Sequence, residues 1–574
     1  MRTSTEVQFA LFDVTAKMDA MYTAALIEPF CNLEDFRQDT PPILPKYATC
    51  EHKQFLLDGS FEMFPDTPAG LFWGLWTQSI SNSFGGFTSP PMLVIDFSVA
   101  HSSMGLTLHF YPPTEEWCSA LHIQWLGAAG ESLASGVFSP DATAFYVSRK
   151  VENYRRIIIT FRQTNKPHRR VKMTAIDFGV RLDFAGESIV KAKILEEIDL
   201  LAAQLTVNTL DLTLYSANAF FSILNPEGAF SVLQHKQQFI VIERLEGVPI
   251  EMGTFYLSDW ANTSNTLADF TAVTTIGLLD GVSHLGGVYD TRADIFAAEL
   301  LAGYQYELAP ELAARPVKGY LPIGTIRTAL QHFAFAIGAV VDCSRSDKIR
   351  VYPPPERPSS YIGYDRKFKG SKVTLKSLIT GVTVTARSFS LGAEQKELFR
   401  ENLDVGQHRI TLTAPAHSFS ATGAAIAASG PNYVDLQVSA AGEIVLQGRE
   451  YMVGTTTTTV MASAVPANTE PNILTVDQAT LVSPDIAVTI AARILDYYSK
   501  RYEQTFHLRV TAESLADTAI IETFGNEKLR GSIERLSLDL TGGFLADVKV
   551  VGTRLDTRWQ FYAGEIWAGE ESAL

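Results

Sequence analysis

The sequence predicts a mainly β, multidomain protein with barrel-like domains, a small α/β domain and an inserted β-sandwich. Three observations predict it. Short apolar runs alternating with period 2 recur along most of the chain, separated by Gly, Pro and Ser. Helical periodicity is confined to a few stretches. The 574 residues exceed what one hydrophobic core serves, and at roughly 150 residues per domain they suggest about four domains.

Taken in order, residues 4–14 (STEVQFALFDV) alternate and read as a strand. They precede the sandwich. If the sandwich is an insertion, this strand should pair with a barrel at 205–280 and not with residues 90–180. Residues 1–45 are therefore assigned to a first barrel and 46–185 to the sandwich. The sandwich strands are 92–97 (MLVIDF), 104–110 (MGLTLHF), 121–125, 157–161 (IIITF) and 171–178 (VKMTAIDF). Residues 186–290 form the rest of the first barrel. A helix is expected over 189–204, followed by strands at 207–215, 238–245, 252–260 and 266–277, with Gly247–Pro249 as a turn.

Residues 291–358 read as the α/β domain. A helix over 291–302 ends at Gly303, and a second over 325–337 is capped by Thr325. A strand pair at 339–343 and 348–352 follows, closed by Pro353–Pro355 and Pro358. Residues 359–556 return to β, with strands at 372–386, 409–413, 433–438, 443–451, 506–511, 532–541 and 544–551. Gly542–Gly543 suits a tight primed turn, and one helix is expected at 484–503. Residues 557–574 form a tail.

Composition narrows the function. With 63 acids against 47 bases the net charge is −16, which offers no electrostatic footprint for nucleic acid. No stretch reaches 18 apolar residues, so no stable membrane insertion is expected, and the N-terminus does not read as a signal peptide. Cys31, Cys50, Cys118 and Cys343 form no CxxC pair and read as reduced, mostly buried thiols.

No catalytic, cofactor or metal site is expected. The eleven histidines show no HExxH, HxH or HxxxH spacing, and there is no GxSxG elbow, Walker loop or GxGxxG. The carboxylate pairs Glu115–Glu116, Glu196–Glu197 and Glu570–Glu571 are adjacent, so on a strand they face opposite ways and read as solvated. Trp73, Trp76, Trp117 and Trp125 crowd into the sandwich. They fill its core on the favoured reading; the alternative is a glycan platform. Arg149, Arg155 and Arg156 read as a solvated strand edge.

Several segments carry a resemblance. KYATCEHKQFLLDGSF at 46–61, the later PPMLVIDFS, and YRRIIITFRQTNKPHRRVKMTAIDFG at 154–179 resemble the opening of tail proteins of phages and prophages of Gram-positive bacteria, where the segment forms a galactose-binding-like sandwich. FIVIERLEGVPIEMGTFYLSDW, TRADIFAAELL and TIRTALQHFAFAIGAVVDC followed by KIRVYPPP resemble the phage tail hub. LTAPAHSF, ILDYYSKRYEQTFHLRV and LRGSIERLSLDLTGGFLADVKVVG fit the same group. The family is the central hub of contractile tail baseplates and the tail-tip protein of non-contractile tails.

The resemblance implies a structural virion protein and no enzyme. It implies a homotrimer whose two barrel-like domains per subunit make a pseudo-sixfold ring joining the tail tube to the spike. The implied partners are its own copies, the tail tube or distal tail protein, the central spike, and a baseplate wedge or tape measure protein. Assembly would take place in the host cytoplasm. A receptor- or glycan-binding tail protein is the alternative. The tail holds Trp559, Phe561, Tyr562 and Trp567, too many aromatics for a free end, and is expected to dock on a neighbouring subunit or the spike.

Overall fold

The computed structural model describes residues 2–38, 40–355, 358–511 and 513–555. The protein is mainly β, and its centre is one 13-stranded sheet built from two barrel-like halves. The first half holds Thr3–Phe12, Gly179–Ala185, Ile189–Glu197, Thr209–Tyr215, Gln238–Leu245, Val248–Asn262 and Leu267–Val273. The second holds Pro358–Ile362, Lys367–Leu375, Tyr502–Arg509, Thr518–Glu522, Lys528–Asp539 and Leu545–Arg554. Ile189–Glu197 and Lys528–Asp539 pair antiparallel and join the halves edge to edge. A single hydrophobic core runs through both, from Val7, Phe9 and Phe239 to Phe506, Leu536 and Val550. Among the described residues the main run of the sheet ends on Gly179–Ala185 and Lys367–Leu375, and a side branch through Thr518–Glu522 ends on Pro358–Ile362.

The N-terminal strand pairs with Gln238–Leu245 and Gly179–Ala185, so it belongs to the barrel, as an inserted sandwich requires. The expected helix at 189–204 is instead the bridging strand. From Ala192 onward alternate side chains, Ala192, Ile194 and Glu196, turn inward, and ladders form on both sides. The apolar residues that suggested a helix are β-branched in part, and a two-sided ladder outweighs local propensity. The expected Gly542–Gly543 two-residue turn is also wider. Asp539 Oδ1 accepts hydrogen bonds from the Thr541 amide (3.1 Å), the Thr541 hydroxyl (2.7 Å) and the Gly542 amide (3.3 Å), and Phe544 tucks into the core.

The inserted unit is a seven-stranded sheet. The runs 92–97 and 104–110 are one strand, Met92–Phe110, which shifts register against Ala144–Thr164 at Asp96, His101 and Ser103. These irregularities bend the strand, so that Leu93 and Ile95 on one side of the bend and Leu106 and Leu108 on the other face one core. Its limits differ from 46–185. Ala16, Ala20 and Phe36 lie in its core and Met21–Ala24 pairs with Met92–Phe110, whereas Gly179–Ala185 is a barrel strand.

In the α/β part, the helices Ala293–Leu300 and Ile326–Ile337 pack through Phe296 and Phe333, ring centroids 5.0 Å apart. The Thr325 hydroxyl accepts the Thr328 amide at 3.2 Å, and Gly338, at φ 70°, closes the second helix. The helix expected at 484–503 spans Ala487–Ser499. It shares this core through Ile490 and Ile494 instead of sitting within the second β domain. The run 372–386 divides between two strands, Lys367–Leu375 and Gly381–Leu403. The 23-residue Gly381–Leu403 pairs with Gly442–Met461 as a ribbon that would span about 75 Å at full extension. Strands Gly406–Thr411, Ala416–Thr422, Ala425–Gly430 and Tyr433–Val438 build a small core at its outer end around Val434, Leu436 and Leu446.

Candidate assembly interface

Three polar clusters fasten the pieces. At the bridge between halves, Arg345 reaches from the α/β part to Glu196, with Nε–Oε1 at 3.1 Å and Nη2–Oε2 at 3.3 Å. Burial pushes the Glu196 carboxyl up, and Arg345 opposes it. Its neighbour Glu197 faces the other way and pairs with Arg535 at 3.1 Å. The Tyr497 hydroxyl donates to Glu534 at 2.7 Å, tying the helix Ala487–Ser499 to the second half.

The sandwich is held to the barrel by His101. Its Nδ1 lies 2.7 Å from Asp13 and its Nε2 2.9 Å from Asp19. Carboxylates only accept, so both ring nitrogens donate and the ring is an imidazolium. Asp13 follows the N-terminal barrel strand and also accepts from the Thr15 and Ala16 amides; Asp19 accepts from the Ser98 and Val99 amides. Burial alone would lower the imidazole, but the two carboxylates outweigh it and hold His101 above its ordinary value. Burial would likewise raise Asp19, yet Ser98 and His101 bring it down to about 2.

The sign of the pH dependence follows. A raised histidine contributes fully below its unfolded pKa, and the contribution is lost as pH rises through the folded value. The lowered aspartates contribute above their unfolded values and lose it on acidification. Wild type should therefore exceed His101→Gln in thermal stability most at about pH 5, with the gap closing toward alkaline pH. Melting curves across that range check it, and a pH-independent gap would refute it.

The third cluster lies in the sandwich. Lys172 Nζ sits 2.7 Å from Glu51 and 3.0 Å from Glu116, and Arg169 pairs with Glu116 at 2.6 Å. Arg169 also donates to the carbonyls of His52 and Lys53, pinning that loop. Burial pushes the Glu51 carboxyl up, but Lys172 outweighs it and Glu51 lies below its usual range. Lys172 stands over the Trp76 ring at 4.8 Å.

Trp73 and Trp76 are buried in an aromatic cluster with Phe30, Tyr47, Phe64 and Tyr111, and Trp125 is buried in the main sandwich core. None of these three offers a ring face to solvent. Trp117 is half-buried against the same core. Trp559, Phe561, Tyr562 and Trp567 lie outside the described residues. The adjacent carboxylates behave unlike the solvated pairs expected: Glu116 and Glu196 are buried in ion pairs. For Glu196–Glu197, on the strand Ile189–Glu197, the reversal of faces turns one of the two inward; Glu116 lies in the turn before Cys118–Leu126, and Glu570–Glu571 lie outside the described residues. All four cysteines are free; Cys118 and Cys343 are buried and Cys50 is exposed. Among the described residues no group of three or more His, Cys, Asp or Glu is placed to hold a metal, and no helix is long and apolar enough to cross a membrane.

No family model and no curated protein sequence matches the chain. Solved structures of similar shape include the 43 kDa tail protein of prophage MuSo2 from Shewanella oneidensis, 11% identical, covering 64% of this chain and 95% of that one at a TM-score of 0.39. A tail protein from Neisseria meningitidis MC58 is also 11% identical, covering 66% and 95% at a TM-score of 0.39. The prophage tail protein gp18 from Listeria monocytogenes EGD-e is 7% identical, covering 64% and 91% at a TM-score of 0.37. No residue role is carried over from them.

Proposed function

We propose that this chain is a structural virion protein, the central hub subunit of a phage or phage-like tail baseplate or tip. In this reading three copies form a ring linking the tail tube to the spike, assembled in the host cytoplasm. The observation that supports it is the fusion of two barrel-like halves into one sheet through Ile189–Glu197 and Lys528–Asp539. Three such subunits present six halves, matching a sixfold tube. A closed ring needs a heterologous contact between two different surfaces, and the main run of the sheet ends on two different strands, Gly179–Ala185 and Lys367–Leu375. The tail tube or distal tail protein would meet the ring of halves. The spike, and a wedge or tape measure protein, would meet its other faces.

The reading assigns no catalytic role. His101 is occupied on both ring nitrogens by carboxylates and has no nucleophile to activate. The alternative, glycan binding through the sandwich, loses support from the burial of Trp73, Trp76 and Trp125.

Mass in solution tests the proposal. Sedimentation should give three times the 63.1 kDa subunit, each copy burying on the order of 2,000 Å² or more with its neighbours. A stable monomer at micromolar concentration that binds cell-wall glycan would support the alternative instead.

A further inference from the structure

The ribbon formed by Gly381–Leu403 and Gly442–Met461 has two long edges, and they differ. The edge of Gly381–Leu403 is taken near its start by Ile473–Val476 and by the Val482 carbonyl, which accepts the Arg387 amide at 2.9 Å. Farther out it is broken by register shifts after Leu391 and Glu397 and carries Glu394, Lys396 and Arg400. Charges and bulges of this kind keep a sheet edge from pairing with another chain. The edge of Gly442–Met461 is covered by Ala416–Thr422 as far as Glu450. From Met452 to Met461, MVGTTTTTVM, it has no charge, no proline and no register shift.

Backbone parity fixes what this edge offers. The Tyr451 amide donates away from the ribbon, to the Pro415 carbonyl at 2.9 Å, whereas the Ala462 amide donates across it, to the Thr380 carbonyl at 2.9 Å. Between them the register runs unbroken, from Leu391 opposite Tyr451 to Gly381 opposite Met461. The alternation of an antiparallel ladder therefore turns the amides and carbonyls of Val453, Thr455, Thr457, Thr459 and Met461 outward. None of these main-chain groups has a hydrogen-bond partner on that side among the described residues, and all five residues are exposed.

The outward row is self-complementary. With a second copy turned about a twofold axis at Thr457, Thr457 faces Thr457, Thr455 faces Thr459 and Val453 faces Met461. Outward residues then meet outward residues, in five opposed pairs that exchange about ten hydrogen bonds. Threonines face threonines, apolar ends face apolar ends, and the absence of charge leaves no like-charge pair to oppose the contact. Left open, an uncharged, β-branched edge without proline is the kind that aggregates.

We propose that Met452–Met461 pairs antiparallel with the same strand of a second copy, about a twofold axis at Thr457. The contact is isologous, so it is distinct from the heterologous contact that closes a ring, and it goes beyond the hub reading without resting on it. In a ring of three it joins two rings through three ribbons. One strand pair is small beside a standard interface, so it forms at higher concentration than the ring does.

Sedimentation of the full-length protein from about 1 to about 100 µM tests it. The mass should double across the series. Thr457→Pro removes an outward donor and leaves the ribbon's own ladder intact, and should weaken the doubling by roughly tenfold or more. Should that variant not fold, Thr455→Lys/Thr459→Lys, which guards the edge with charge, should do the same. A wild-type mass that stays constant would overturn the proposal. So would doubling that persists in either folded variant, growth into aggregates of no fixed size, or protection of the 452–461 amides from hydrogen exchange before the mass doubles. The starting mass separates this contact from the ring: a monomer that doubles would keep the ribbon pairing and fail the hub, and a threefold species that never doubles would do the reverse.

Discussion

Lys172→Met should destabilise the sandwich by about 3–5 kcal/mol at neutral pH, the usual cost of removing one partner from a buried ion network. Lys172 is 2% exposed and holds both Glu51 and Glu116. With it gone, Arg169 still faces Glu116, but among the described residues Glu51 keeps the Thr49 hydroxyl at 2.7 Å and the Arg170 amide at 2.8 Å and no cation. Methionine fills most of the volume, so the loss measures charge and not a cavity. The sign with pH is diagnostic. Glu51 lies below its unfolded value in the wild type, so its contribution is present above the ordinary carboxylate range and fades on acidification. The deficit of the variant should therefore shrink as pH falls toward about 4. Denaturant unfolding followed by tryptophan fluorescence reads it, because Trp73, Trp76 and Trp125 all lie in this unit. A deficit under about 1 kcal/mol would show that the network is a weak, solvated one.

Ile194→Pro should sever the joint between the halves. Ile194 is fully buried and sits opposite Leu210 on one side and Leu538 on the other. Proline removes a ladder donor in a central strand and clashes with its neighbours, at a cost of about 3 kcal/mol or more. The separation of two halves that share one core should appear in calorimetry as a split or broadened transition where the wild type unfolds them together. The hub reading adds that the variant should fail to form the threefold species. A variant that melts as the wild type does would mean the ladder at Ile189–Glu197 contributes little to cohesion.

Much of the architecture is legible in the residues. Alternation at 4–14, 207–215 and 238–245 gave strands that the structure contains, and Thr325 and Gly338 bound a helix as their chemistry dictates. What stayed hidden has a common cause. Ile194, Leu195 and Ile198 fit a helical stripe when read locally, and only Leu210 and Leu538, far along the chain, make that segment a strand. Gly179–Ala185 likewise reads as a continuation of the sandwich until its pairing with Thr3–Phe12 is known. The fastening residues were illegible for the same reason. His101 meets Asp13 and Asp19 across more than eighty positions, and Lys172 meets Glu51 and Glu116 across 121 and 56. Neither leaves a short motif. The alternation around Glu196 is a local signal of such a buried charge; Glu116, in the turn before Cys118–Leu126, carries none.

The pairing of the N-terminal strand also orders events during synthesis. Thr3–Phe12 leaves the ribosome well ahead of its partners, Gly179–Ala185 and Gln238–Leu245. The inserted sheet between them can complete itself from residues already made, while the first strand waits with both edges unsatisfied. The bridging strand waits longer, since Lys528–Asp539 emerges more than three hundred residues after Ile189–Glu197. Domains made early fold early, and ladders of such long sequence separation form slowly. The nascent chain thus carries exposed strand edges in turn, those of Thr3–Phe12 until Gln238–Leu245 has emerged and then one edge of Ile189–Glu197 until Lys528–Asp539 has. Its exposure to mispairing is set by elongation time, not by the stability of the finished sheet.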